Sequence, residues 1–132
     1  MDNKAIFRRF YERAWNLGDL AVIDELLAPD FVNHEVKDAS ASHRDLYKQA
    51  VIESRTAFPD WSLIIDNLIA EGNQVAAHWR ATGTHTGQAW GTEPSGRQLE
   101  MAGITIVRVA NGKITDFWKH DNGYLFWQQP SK

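Results

Sequence analysis

No cysteine occurs among the 132 residues. That absence removes thiolate nucleophiles, cysteine-built zinc sites and thiol redox chemistry, and it gives no support to a disulfide-stapled secreted fold. No apolar run approaches the ~20 residues that a membrane helix needs. The first helical pattern begins near Asn3 without an apolar signal core, so a soluble, cytoplasmic protein is the expectation. Blocks of one charge are missing too. The 14 Lys and Arg are scattered among 17 Asp and Glu for a net charge of −3, which leaves no basic stripe for phosphates and makes nucleic acid an unexpected partner. The chain also lacks G-x-G-x-x-G, a P-loop, a G-x-S-x-G elbow and any HxH or HExxH spacing. These gaps argue against a nucleotide cofactor, a serine nucleophile and a metal site, so no cofactor and no metal are expected.

What is present points to one α+β domain over residues 1–132, long enough to bury roughly two thirds of its unfolded surface. Asn3 can cap a first helix whose Ile6, Phe7, Phe10, Tyr11, Ala14 and Trp15 recur on one face, with Gly18 at its end. Asp19 can cap a second helix that stops before Pro29, and Phe31–His34 reads as a brief strand. Ser42-x-x-Asp45 resembles a capping box for a third helix carrying Leu46, Tyr47, Val51 and Phe58 inward. Four strands follow, at about Trp61–Glu71, Gln74–His85, Arg97–Val109 and Lys113–His120, with tight turns at Gly72 and Gly112 joining antiparallel neighbours. Helices first and sheet second is the segregated pattern of an α+β fold, and a sheet curved over three helices leaves an interior cone.

Chemistry concentrates at the end of the last strand, where His120 and Asp121 stand together before a short aromatic tail. Imidazole and carboxylate are the commonest general acid/base groups. Asp121 has two compatible readings: a cap on the terminal helix, or a carboxylate shielded by Phe117, Tyr124 and Trp127 and thereby held protonated more readily. His34, beside Asn33 and Glu35, is either a core histidine or a site group at the sheet edge. His43 reads as solvated. His78 shares strand parity with Arg80, opposite Trp79, and parity does not say which set faces inward. His85 ends its strand just before a glycine-rich loop from Thr86 to Gly96.

Several segments together resemble one family. They are Phe10-Tyr11-Glu12 through Asn16-Leu17-Gly18-Asp19, Leu27 to Glu35, Phe58-Pro59-Asp60-Trp61, Gly83-Thr84-His85-Thr86-Gly87, Gly103-Ile104-Thr105, and Gly112 to Asp121. In order and over nearly the whole chain, they are similar to the SnoaL-like polyketide cyclases, or ester cyclases, of the ketosteroid-isomerase-like superfamily. The resemblance implies three helices packed in a strongly curved antiparallel sheet, a cone around an apolar pocket, and a homodimer packed through the sheet. It implies a pocket carboxylate acting as general acid/base in an aldol ring closure of a polyketide ester, with no metal or covalent intermediate. The matching position is Asp121. Tyr11 matches a helix-one tyrosine that polarises a carbonyl in the isomerases, and His34 falls near the position of their base.

The expected catalytic set is therefore Asp121, His34, His120 and Tyr11, with Trp15, Trp61, His78, His85, Phe117, Trp118 and Tyr124 as substrate contacts. The chemistry is coherent: a base removes a proton beside a carbonyl, and donors meet the enolate oxygen in a water-poor pocket. The expected ligand is a hydrophobic small molecule. Because one fold hosts many activities, a non-catalytic carrier or sensor, and an isomerase or dehydratase, stand as alternatives.

Overall fold

A computed structural model describes residues 1–37 and 40–128. Helix α1 spans Asn3–Leu17, and its N-cap is Asp2, one residue ahead of the expected Asn3; the Asp2 carboxylate accepts from Ala5 N–H at 2.8 Å. Gly18 ends it in the left-handed region at φ 65°, which suits a residue without Cβ. Asp19 caps α2 (Leu20–Leu26) and Ser42 caps α3 (His43–Ala57), as the spacing predicts. The buried faces of α1 and α2 carry Phe7, Phe10, Tyr11 and Ile23, all at most 2% exposed.

Strand β1 (Leu27–Asn33) starts four residues earlier than expected, directly after α2, and leaves His34 in the following turn. Strands β2 (Ser62–Glu71), β3 (Gln74–Thr84), β4 (Gln98–Ala110) and β5 (Lys113–Asp121) then form the meander that the two turns specify, and α4 (Tyr124–Gln128) closes the chain. The sheet order is β1-β5-β4-β3-β2. Its one departure from the antiparallel expectation is β1, which pairs parallel to β5 and makes the sheet mixed. Register shifts between Ile65 and Asn67, between Arg108 and Val109, and between Leu27 and Val32 bend the strands around the helices.

Alternation assigns the two faces. Val75, Ala77, Trp79 and Ala81 of β3, Leu99, Thr105 and Val107 of β4, and Phe117 of β5 are buried against the helices. The opposite face carries Ile64, Ile69, Ile104 and Ile106, all exposed. At the β2 edge, Asn16 of α1 takes the place of a missing strand: its amide donates to Leu63 O at 2.9 Å and accepts from Leu63 N–H at 2.7 Å. Among the described residues, no helix is long and apolar enough to cross a membrane.

Candidate active site

Parity in β5 puts Phe117, Lys119 and Asp121 on the inner face and Asp116, Trp118 and His120 on the outer one. Gly103, opposite Asp121, makes room for it. A Cβ there would meet Trp79 Cζ2 at 2.5 Å and Asp121 Cβ at 2.8 Å, so the bare backbone lets an indole and a carboxylate lie side by side. The Asp121 side chain is 19% exposed. Lys119 Nζ lies 3.2 Å from one carboxylate oxygen, and Gly123 N–H donates to the other at 2.8 Å. Asp121 thus lies beside Lys119 and is held by a turn amide just ahead of α4.

Two partly open spaces flank this pair. One, of about 220 Å³, is walled by Asp121, Phe58, Trp61, Leu99, Met101, Trp127 and neighbouring groups. The other, of about 190 Å³, is bounded by Lys119, Tyr47, Trp15, Asn33 and Phe117. Ser54 of α3 lines both. A larger groove of about 390 Å³ follows the outer face near Arg80, Glu100 and Asn122, away from the ion pair.

Behind these spaces runs a buried polar chain. Trp79 Nε1 donates to Thr105 Oγ1 at 2.9 Å, and the Tyr11 hydroxyl bonds the same oxygen at 2.8 Å. The Trp15 indole donates to the Tyr47 hydroxyl at 2.8 Å. Burial, ahead of all other causes, pushes the Tyr11 and Tyr47 phenols above their ordinary range, and the charge of Asp121 adds to the effect on Tyr11. Glu35 follows β1, and its carboxyl is also raised by partial desolvation, against the pull of Lys119.

The expected site residues divide by face. Asp121, Trp61 and Tyr124 line the first space, Trp15 and Phe117 the second, and Tyr11 stands in the core with its hydroxyl on Thr105. His34, His120, His78 and Trp118 are not brought to these spaces. His78 and His120 flank Ile104 across three strands of the outer face, because both share its parity. His34 stacks on Trp118 at 4.5 Å, and its Nε2 lies 2.9 Å from Asp116 Oδ2. His85 is buried among Phe58, Phe126 and Trp127, with Nδ1 accepting from Ser95 N–H at 3.2 Å. His43, read as solvated, instead accepts Asn33 N–H at 2.9 Å and pins α3 to β1. Lys119, Tyr47 and Ser54 were not anticipated as site residues, although Tyr47 and Ser54 lie on the side of α3 expected to be buried. For Lys119 the signal was available, since residues two apart on a strand share a face.

Among the described residues, no cluster of three or more His, Asp or Glu could hold a metal ion. The arrangement offers a carboxylate base beside an ammonium cation, between two partly apolar spaces.

No curated protein sequence matches the chain. Among solved structures it is similar to AclR of Streptomyces galilaeus, described as a candidate hydroxylase, with 28% identity, TM-score 0.78, and coverage of 94% of this chain and 78% of that one. It is similar to IdmH of Streptomyces antibioticus, described as a candidate polyketide cyclase, with 27% identity, TM-score 0.77, and coverage of 93% and 94%. TsrD of Streptomyces laurentii shares the fold at 24% identity and TM-score 0.79, with 94% of each chain covered. The profile of the SnoaL-like polyketide cyclases matches residues 5–129, so the chain belongs to the SnoaL-like polyketide cyclase family.

Proposed function

We propose that the protein is a cyclase-like enzyme that performs aldol-type acid/base chemistry on an apolar carbonyl or ester compound, without a cofactor. The observation that carries this reading is the inward Asp121 carboxylate paired with Lys119 at 3.2 Å, between the two partly open spaces. Asp121 takes the proton from the carbon beside a carbonyl, and the C–H electron pair becomes the enolate. The Lys119 ammonium stabilises the negative charge that collects on the enolate oxygen. In ring closure the enolate carbon attacks a second carbonyl carbon of the same molecule. One C–C bond forms, and the new alkoxide takes up the proton that Asp121 holds. Tyr11 stands one layer behind, with its hydroxyl on Thr105.

Proton abstraction is measurable before the natural substrate is known. The probe is 1-tetralone in D2O, with deuterium entry beside its carbonyl followed by mass spectrometry. Exchange above the buffer rate is expected, with loss of that excess in Asp121→Asn and a fall of roughly a hundredfold in Lys119→Met. Exchange in Asp121→Asn equal to the parent rate refutes the assignment.

A carrier of hydrophobic small molecules is the second reading, favoured by the same ion pair: a carboxylate already held by Lys119 and Gly123 N–H is well placed to orient a ligand. Binding without exchange selects it. We further propose a homodimer through the outer sheet face, supported by exposed Ile64, Ile69, Ile104 and Ile106 on one surface. Light scattering should give twice the chain mass, and Ile104→Lys should give the monomer.

A further inference from the structure

Two tight turns of this chain share a backbone and differ in sequence. Asn111-Gly112 joins β4 to β5, with φ 53° and 74° and the closing pair Ala110–Lys113. Trp90-Gly91 repeats that geometry in the loop between β3 and β4, with φ 55° and 69°. Ala89 and Thr92 form a bridge across it, and Thr92 N–H donates to Ala89 O at 3.0 Å. Positive φ at both central positions marks a type I′ turn, which favours asparagine or glycine at the first of them. Asn111 follows that preference. Trp90 breaks it with the largest of side chains, and a bulky residue at positive φ is an outlier that calls for a cause.

Core packing does not supply the cause, because Trp90 is 50% exposed. Among the described residues, the one aromatic ring it meets is Trp127, edge-on at 89° with centroids 5.9 Å apart. Trp127 is itself 46% exposed, seated against Phe126 at 4.9 Å and His85 at 5.4 Å. Both indoles line the space that holds Asp121, together with the buried Phe58 and Leu99. The residue that violates its turn therefore stands at the partly open side of that space. Local rules of sequence are broken most often where function requires it.

We infer that Trp90 and Trp127 form an aromatic clamp at the mouth of this space, with Trp90 the specificity-determining residue that selects planar aromatic carbonyl compounds over saturated ones. The inference rests on the carbonyl-compound reading above and adds the class of ring that the site takes. Two indoles at right angles offer an entering flat ring the face of one and the edge of the other, the arrangements that aromatic rings prefer. A puckered saturated ring has no π face and gains burial alone. The type I′ turn fixes Trp90 in place, so little side-chain or loop freedom is lost when a ligand enters.

The test is a matched pair of probes, 1-tetralone and trans-1-decalone, which share the bicyclic skeleton and the carbonyl and differ in the aromatic ring. Burial alone favours the saturated ketone, which carries more C–H surface. Calorimetry on the whole protein should instead show a preference for 1-tetralone of roughly threefold to tenfold, the worth of one aromatic pair. Trp90→Asn should remove that preference and bind the decalone as the parent does, whereas Trp90→Phe, which keeps a ring, should retain part of it. The urea midpoint of Trp90→Asn should equal or exceed the parent's, because asparagine suits the turn as Asn111 does. A lowered midpoint makes Trp90 a residue that serves the fold and overturns the inference. Equal binding of the two ketones by the parent, or an undiminished preference in Trp90→Asn, also overturns it and leaves the carbonyl-compound reading intact. Failure of both ketones to bind the parent overturns that reading and the inference with it. Trp90→Gly, equally at ease at positive φ, is read in the same way if Trp90→Asn does not fold.

Discussion

Replacing Thr105 by Val removes one hydroxyl and almost no volume at the centre of the core. Thr105 is 0% exposed, and its oxygen serves two buried groups, Trp79 (1% exposed) at 2.9 Å and Tyr11 (2% exposed) at 2.8 Å. The indole N–H has this one hydrogen bond among the described residues and bears the full cost of an unmade bond, about 1–3 kcal/mol. Tyr11 has the Tyr47 hydroxyl nearby, so its share is smaller. Removing the threonine hydroxyl, itself desolvated, offsets part of the loss, and the net expectation is about 2–4 kcal/mol. Against a total stability of about 5–15 kcal/mol that is a large fraction. In urea, with a slope near ~2 kcal/mol/M, the midpoint should fall by about 1–2 M with the slope unchanged. Thr105→Ser, which keeps the oxygen and loses a methyl, should fall less, by about 1 kcal/mol. A Thr105→Val midpoint within error of the parent, or Thr105→Ser as damaged as Thr105→Val, refutes the hydrogen-bond account and leaves Thr105 a packing residue.

Gly103→Ala should lower stability by about 1–3 kcal/mol, because the added methyl meets Trp79 Cζ2 at 2.5 Å, and it should slow deuterium exchange by pushing Asp121 aside. Thermal melting and the 1-tetralone assay read the two effects, and a variant unchanged in both removes the close-approach argument. Alkaline pH gives another prediction. Tyr11 and Tyr47 are raised in the folded state above the ordinary value of 10.0, so above that pH the unfolded chain releases protons that the folded chain retains. Their contribution is therefore complete below about pH 10 and is lost above it, at about 1.4 kcal/mol per pH unit for each tyrosine. Tyr11→Phe should roughly halve the slope of urea stability against pH in that range, and an unaltered slope sinks the assignment.

The helices and hairpins were legible because their signals are local. Asp19, Ser42 and Gly18 act within one turn of themselves, and Asn111-Gly112 sets the β4–β5 register by its own backbone. Asp2 displaced Asn3 as cap because adjacent residues of equal capping power are not separable by pattern. The parallel pairing of β1 with β5 was hidden, since nothing near Leu27 indicates the strand it will meet. Facing was hidden for the same reason. Alternation divides His120 from Asp121 and His78 from Trp79, but only the packed helices decide which half is inside. Family resemblance led to Asp121 but passed over Lys119, although strand parity already tied the two.

The parallel β1–β5 pair also sets an order of events. A strand from the first quarter of the chain waits for the last strand of the sheet, and Tyr11 waits in the same way for Thr105, so the core contacts of the first helix form between distant segments. Long-range pairings of this kind are slow, because loop closure precedes any gain from contact. During synthesis the early helices must keep their aromatic faces out of trouble until β4 and β5 emerge from the ribosome. The segment that completes the sheet is the one that carries Lys119 and Asp121, so a chain that has acquired its site has already acquired its core.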